Sequence, residues 1–292
     1  MNASTPAVPS RDASAAAGRI LKRRSGRNLP VATAIGLGIL ALVLVANWWH
    51  GLAFAAVMYG FVIAAYPEWR AALMRSGRFL ALTPIIAGTV GMGVATWFAG
   101  REGLVVALLV ACAGTVAWRL VEDWHEDALH DSLASVLTLV WIPFLMSFML
   151  LIRETEDGWV RVLIVVLAVA GSDTGALFTG MKFGRNKMAP HISPQKTWEG
   201  AVGGAILGVS AATIAAYFLL QGAWQVGLLV GAVAVVGAVF GDLVESVLKR
   251  DMNIKDMGGA IPGHGGVLDR IDSLLVAAPL AYVAFGILVS FE

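Results

Sequence analysis

The sequence predicts an all-α fold, a polytopic integral membrane bundle of about nine transmembrane helices. Three observations carry this. Only 14% of the 292 residues are charged, against roughly a quarter in an average soluble chain. Hydrophobic residues make up 58%, and the mean hydropathy is +0.76. The apolar residues come in continuous blocks, near the ~20 residues a helix needs to cross a bilayer. They do not alternate with polar residues, which argues against a β-barrel.

The segments follow in order. Residues 1–29 are Ala/Ser-rich and carry Arg11, Arg19, Lys22, Arg23, Arg24 and Arg27. They read as a disordered basic cytoplasmic tail, with attraction to anionic lipid as a secondary property. The polar part is too long for a signal peptide, and no clear small-residue cleavage site follows it. Residues 30–292 read as one transmembrane domain, with no soluble domain and no inverted repeat. Spans 30–48 and 51–66 form a hairpin joined through Asn47–Gly51. Spans 79–99, 103–121 and 132–152 complete the first half. Spans 159–180, 200–220, 222–246 and 273–291 make the second. Trp48, Trp49, Trp69, Trp97, Trp118, Trp159, Trp198 and Trp224 mark span ends, as amphipathic rings prefer the headgroup level.

Basic residues set the orientation. With the N-terminus inside, every Lys and Arg lies on an inner segment except Arg101, Arg153 and Arg161. The positive-inside bias then places loops 67–78, 119–131, 181–199 and 249–272 in the cytoplasm and the C-terminus outside. A net charge of +1 gives no bulk basic character for nucleic acid. The single cysteine, Cys112, sits in an apolar run and reads as a core residue, with no internal disulfide to form.

Ionisable residues interrupt this pattern in three places. In "GSDTGALFTG", 171–180, Asp173 follows a long apolar run. A carboxylate at membrane depth costs about 3 kcal/mol and must face the bundle interior or a wet cavity. Its alternative is a helix-packing acid bonded to a neighbour. In "GDLVESVLKR", 241–250, Asp242, Glu245 or Ser246, and Lys249 are spaced to share one helix face. Lys249 and Arg250 suit a helix C-terminus; Asp242 does not. The third is "KRDMNIKDMGGAIPGHGGVLDRID", 249–272. Asp269 and Asp272 there, with Asp242, offer hard oxygen ligands, which point to Mg²⁺ rather than zinc. Lys249, Arg250, Lys255 and Arg270 supply charge for phosphate oxygens. Gly258, Gly259, Gly263, Gly265 and Gly266 let backbone N–H groups approach phosphates. Metal-holding acids, cations and a glycine-rich backbone together are what phosphoryl or nucleotidyl transfer needs.

Two further polar loops are less specific. In "RLVEDWHEDALHD", 119–131, Asp127 and His130 permit a metal by spacing, and His125 is nearby, but a solvated loop is the plainer reading. The loop 181–200 carries Lys182, Arg185, Lys187 and Lys196 with Pro190 and Pro194. It reads as an ordinary inner loop or as a holder of an anionic headgroup or nucleotide, and His191 as a loop residue.

The stretch "SVLKRDMNIKDMGGAIPGHGGVLDRID", 246–272, resembles the signature of the phosphatidate cytidylyltransferase (CDP-diacylglycerol synthase) family. Ser246, Lys249, Arg250, Lys255, Asp256, His264, Gly265, Gly266, Asp269, Arg270 and Asp272 fill its fixed positions. "SDTGA", 172–176, "KTWEG", 196–200, and "GDLVES", 241–246, are also similar to the family. Leu177 and Gln195 depart from it, standing where the family often has an aromatic residue and a lysine. The resemblance covers the C-terminal 120 residues strongly and the first half only as spans.

The resemblance implies a reaction in which CTP and phosphatidic acid give CDP-diacylglycerol and pyrophosphate. It implies metal ligation at Asp242 and Asp269, Mg²⁺ with a monovalent cation such as K⁺ beside it, and a homodimer. Asp272, Asp173 and Asp256 are further acid candidates. Lys249, Arg250, Lys255 and Arg270 are expected to hold phosphates. Ser172, Thr174 and Lys196 are expected on the lipid phosphate or nucleotide. His264 is expected to orient a phosphate or protonate pyrophosphate. The active site would then be cytoplasmic, on a multi-pass protein of the plasma membrane. Rival readings are a CTP-dependent transferase for another lipid phosphate, an ion transporter using Asp173 and Asp242, and a structural membrane protein.

Overall fold

A computed structural model describes residues 29–121, 127–258 and 265–289. The basic tail, His125 and His264 lie outside the described residues. Helix α1 is Leu29–Trp49, and α2, Gly51–Arg75, follows at once. His50 separates them and caps α2, its Nδ1 accepting from Leu52 N at 3.1 Å.

α2 runs nine residues past the predicted span end at 66, through Pro67. Proline interrupts a helix less where neighbouring helices re-satisfy the chain. Here the flanking residues are pinned: the Tyr66 hydroxyl meets the Thr89 hydroxyl, and Trp69 Nε1 donates to Thr138 Oγ1 at 2.7 Å. The helix ends in a Schellman motif, with Arg78 N on Leu73 O, Gly77 N on Met74 O, and Gly77 at φ +76°.

α3, Leu82–Val121, is 40 residues long but breaks at Gly100, where φ 58°, ψ −139° suits only glycine. The two arms fold back side by side: a Cβ on Gly88 would lie 2.6 Å from Ala111 Cβ. The predicted pair 79–99 and 103–121 is this bent helix. α4, Ala128–Arg153, widens to a π-turn over Val140–Phe144 around Pro143, the usual answer to a missing N–H. α5 is Gly158–Phe183, α6 Trp198–Leu219, α7 Trp224–Asp251 and α8 Asp272–Val289.

Between α5 and α6 lies an antiparallel hairpin, β1 Lys187–Ala189 with β2 Ser193–Thr197. The sequence predicts a loop over 181–199; within it Pro190 sits at the turn and Pro194 in the second strand. Thr197 then caps α6, its hydroxyl accepting from Gly200 N at 3.1 Å.

Among the described residues, six helices are long and apolar enough to cross a membrane, and Ala34–Trp49 and Asp272–Leu288 are shorter apolar stretches. The chain is thus a multi-pass, all-α membrane bundle. The expected nine spans are not fixed by this count, in which the two arms of α3 are taken as one helix and α1 enters only from Ala34.

Small residues bring the second-half helices close, as lipid-embedded bundles require. A Cβ on Gly204 of α6 would lie 2.6 Å from Ser172 O of α5. One on Gly241 of α7 would lie 2.5 Å from Asp272 O at the start of α8. That second contact sets two acids, Asp242 and Asp272, beside each other.

Candidate active site

The site gathers where α5, α7, α8 and the hairpin meet, around a cavity of about 640 Å³. α7 contributes a polar face of Asp242, Glu245, Ser246 and Lys249, all lining the cavity. α5 adds Ser172 and Asp173, the hairpin Lys196, the last turn of α7 Arg250, and the loop after it Lys255 and Asp256. Asp269, Arg270 and Asp272 enter from the short 3₁₀ turn Leu268–Arg270 and the first residue of α8.

These groups form two linked ion clusters. Lys196 Nζ lies 2.6 Å from Asp242 Oδ2, and Ser246 Oγ is 3.4 Å from Asp242 Oδ1. Lys249 Nζ bridges Glu245 Oε2 at 2.8 Å and Asp269 Oδ1 at 3.0 Å. Asp269 Oδ2 accepts from Gly266 N at 2.8 Å. Burial pushes the Asp269 carboxyl up, but the Gly266 amide and the Lys249 ammonium outweigh it and hold the carboxyl below its ordinary value. Arg250 Nε donates to Ile192 O at 3.0 Å, tying the end of α7 to the hairpin turn.

Among the described residues, Asp242, Glu245 and Asp272 can each bring a carboxylate oxygen within 4.8 Å of the others. Glu245 is fully buried and Asp272 is 7% exposed. Glu245 Oε1 has no hydrogen-bond partner. Three converging acids with one buried, unpartnered oxygen make a donor set for a hard cation. The residues therefore fit Mg²⁺ in kind.

The expected residues fall into place unevenly. Asp242 belongs to the cluster. Asp269 engages both carboxylate oxygens with Lys249 and Gly266, one ammonium away from Glu245. Thr174 is on the exposed face of α5, its hydroxyl donating to Ala170 O at 2.7 Å, and does not line the cavity. Gly265 and Gly266 support Asp269 rather than line the cavity. The Asp127–His130 pair is solvent-exposed, 3.8 Å apart, and distant in role from this site. Sequence reasoning missed Glu245 as a ligand. Its signal was present: it is one turn from Asp242 on the same face of an apolar helix, where a buried acid needs a partner.

Residues 30–288 match the Cytidylyltransferase family. A protein named phosphatidate cytidylyltransferase from Mycobacterium leprae is 33% identical over 280 residues, covering 91% of this chain and 90% of its own. One of the same name from Brucella suis biovar 1 is 32% identical over 260 residues, 87% of this chain and 91% of its own. A third, from Haemophilus influenzae, is 42% identical over a shorter stretch of 176 residues, 56% of this chain and 60% of its own.

Proposed function

The chain belongs to the cytidylyltransferase family, and on that premise we propose that it transfers CMP from CTP to phosphatidic acid, giving CDP-diacylglycerol and pyrophosphate. It is a membrane enzyme of the nucleotidyltransferase class. The observation that carries the reading is the meeting of an all-oxygen acid cluster with Lys196, Lys249, Arg250, Lys255 and Arg270 around one cavity.

The lipid phosphate is the nucleophile and attacks the α-phosphorus of CTP. A phosphate monoester with a second pKa of about 6 is already largely ionised at neutral pH, so the site needs no strong base. The chain's work is then to align the two phosphates and to offset their charge. Lys249, Arg250, Lys255 and Arg270 hold the triphosphate. Lys196 and Ser172 sit on the α5 and hairpin side, where the lipid phosphate enters beside Asp173. Ser246 and Asp256 complete the polar wall, Gly265 and Gly266 shape the turn beneath it, and His264 orients a phosphate or protonates pyrophosphate. Thr174 fits a lipid-facing role better than a nucleotide one, given its place on α5.

Asp242, Glu245 and Asp272 would hold Mg²⁺, with Asp269 adjoining them through Lys249. Bound there, Mg²⁺ would supply positive charge to the phosphate oxygens. A monovalent cation such as K⁺ beside it, and a homodimeric assembly, are further parts of the reading that rest on the family resemblance. The basic bias of the inner loops supports an N-terminus and active site in the cytoplasm, on the plasma membrane.

The test uses purified protein in liposomes with labelled CTP and Mg²⁺. Acceptors are phosphatidic acid, a polyprenyl phosphate and an archaeal ether-lipid phosphate. Label is expected in lipid with phosphatidic acid. Equal or greater labelling of another acceptor, or ion flux without any transfer, would sink the reading.

A further inference from the structure

The turn that presents Asp269 is held from outside the signature, by a residue of the first half of the chain. Glu68 lies on the part of α2 beyond Pro67. Its Oε2 accepts from Val267 N at 2.7 Å. The preceding amide, Gly266 N, is taken by Asp269 Oδ2 at 2.8 Å. Two consecutive backbone donors are therefore each claimed by a carboxylate, one from α2 and one from the turn itself. The 3₁₀ turn Leu268–Arg270 packs against α2 at the same place.

The glycines around this contact make room for Glu68. A Cβ on Gly266 would lie 2.6 Å from Glu68 Oε2. A Cβ on Gly258 would overlap the Glu68 side chain, whose Cδ, Oε1 and Cγ are its three nearest atoms. Gly265, at φ +84°, lets the chain reverse into the turn. Part of the glycine content of 258–266 is thus explained by a protein carboxylate rather than by phosphate.

We propose that Glu68 is a positioning residue for the reaction: as hydrogen-bond acceptor it fixes the 265–270 turn, and so the place of Asp269 and of the Lys249 ammonium that Asp269 shares with Glu245. This rests on the proposed function for its catalytic consequence, though not for the contact itself. Asp269 is one bonded step from Lys249, so a turn left loose displaces both. A misplacement of about 1 Å costs on the order of 100-fold in rate.

The test compares wild type with Glu68→Gln, Glu68→Ala, Gly258→Ala and the Glu68→Ala/Gly258→Ala double variant, all in detergent or liposomes. CMP transfer is measured alongside amide hydrogen exchange over 265–271. A glutamine still offers an acceptor oxygen, so Glu68→Gln should stay within about threefold of wild type and keep Val267 N–H protected. Glu68→Ala should lose about 10- to 100-fold in kcat and lose that protection. Gly258→Ala should lose activity by crowding Glu68, yet add under about twofold once Glu68 is already alanine. A merely structural role predicts neither rescue by glutamine nor this suppression.

The proposal is overturned if Glu68→Ala keeps turnover within twofold of wild type. It is also overturned if Gln is as damaging as Ala, or if the Gly258 and Glu68 losses multiply. Should Glu68→Ala not fold, Gly258→Ala decides alone, and wild-type turnover in it overturns the proposal. If wild type transfers nothing from CTP, the functional reading fails, and hydrogen exchange still decides whether Glu68 holds the turn.

Discussion

At the scale of single residues, the site depends on acids held inside a membrane protein. Glu245 and Asp272 are buried, and Glu245 Oε1 is without a partner. A bound cation would relieve that cost, which supports ligation at this cluster. Glu245→Gln should raise the Mg²⁺ needed for half-maximal activity by about tenfold or more, because fewer negative ligands weaken a hard-cation site. A Mg²⁺ titration of CMP transfer reads this directly, and an unchanged midpoint would remove Glu245 from the ligand set. Asp269→Asn should lower turnover by at least about 100-fold while the protein remains folded and inserted, since it removes charge beside Lys249. Near-normal turnover would take Asp269 out of the machinery. The signature residues were legible as charge out of place in an oily chain. Glu245 was legible as polar but not as a ligand, and Glu68 was not legible at all, because its partner lies 199 residues away.

At the scale of elements, close packing sets the acids side by side. Gly241 lets the start of α8 approach α7, with Asp272 O 2.5 Å from where a Cβ would stand. Gly241→Ala should therefore separate the helices, destabilise the protein by about 1–3 kcal/mol, and part Asp242 from Asp272. Thermal unfolding and CMP transfer should fall together; a stable variant with intact turnover would mean the helices tolerate the separation. Helix positions were readable from runs of apolar residues, because a bilayer demands ~20 of them in a row. Breaks were less so. Pro67 does not end α2, since Tyr66 and Trp69 anchor both sides of it. The hairpin of Lys187–Ala189 and Ser193–Thr197 carries no alternating pattern, and it forms because β2 leads directly into the capped start of α6.

At the scale of the whole molecule, the contacts sort the helix ends into two sides. Arg78 pairs with Asp251 at 3.6 Å, and Glu68 meets Val267. At the other side Asn47 Nδ2 donates to Trp159 O at 2.8 Å, and Arg153 Nε to Asn47 O at 3.0 Å. The first set joins segments expected inside, and the second joins segments expected outside. With Cys112 replaced by alanine, a cysteine at Glu102, beside the Gly100 bend, should react with an impermeant thiol reagent on intact cells. One at Lys187 should react only after permeabilisation. The reverse pattern would invert the orientation.

If Asp242 and its neighbouring acids hold a divalent cation for CMP transfer, transfer must depend on both the cation and Asp242. The measurement that tests it most directly is transfer from CTP to phosphatidic acid by chelator-treated protein, as Mg²⁺ is restored, for wild type and Asp242→Asn. No transfer is expected without Mg²⁺, with full recovery in wild type and recovery in the variant lower by about 100-fold or more. Transfer that proceeds in chelator, or an Asp242→Asn variant that recovers like wild type, would contradict it.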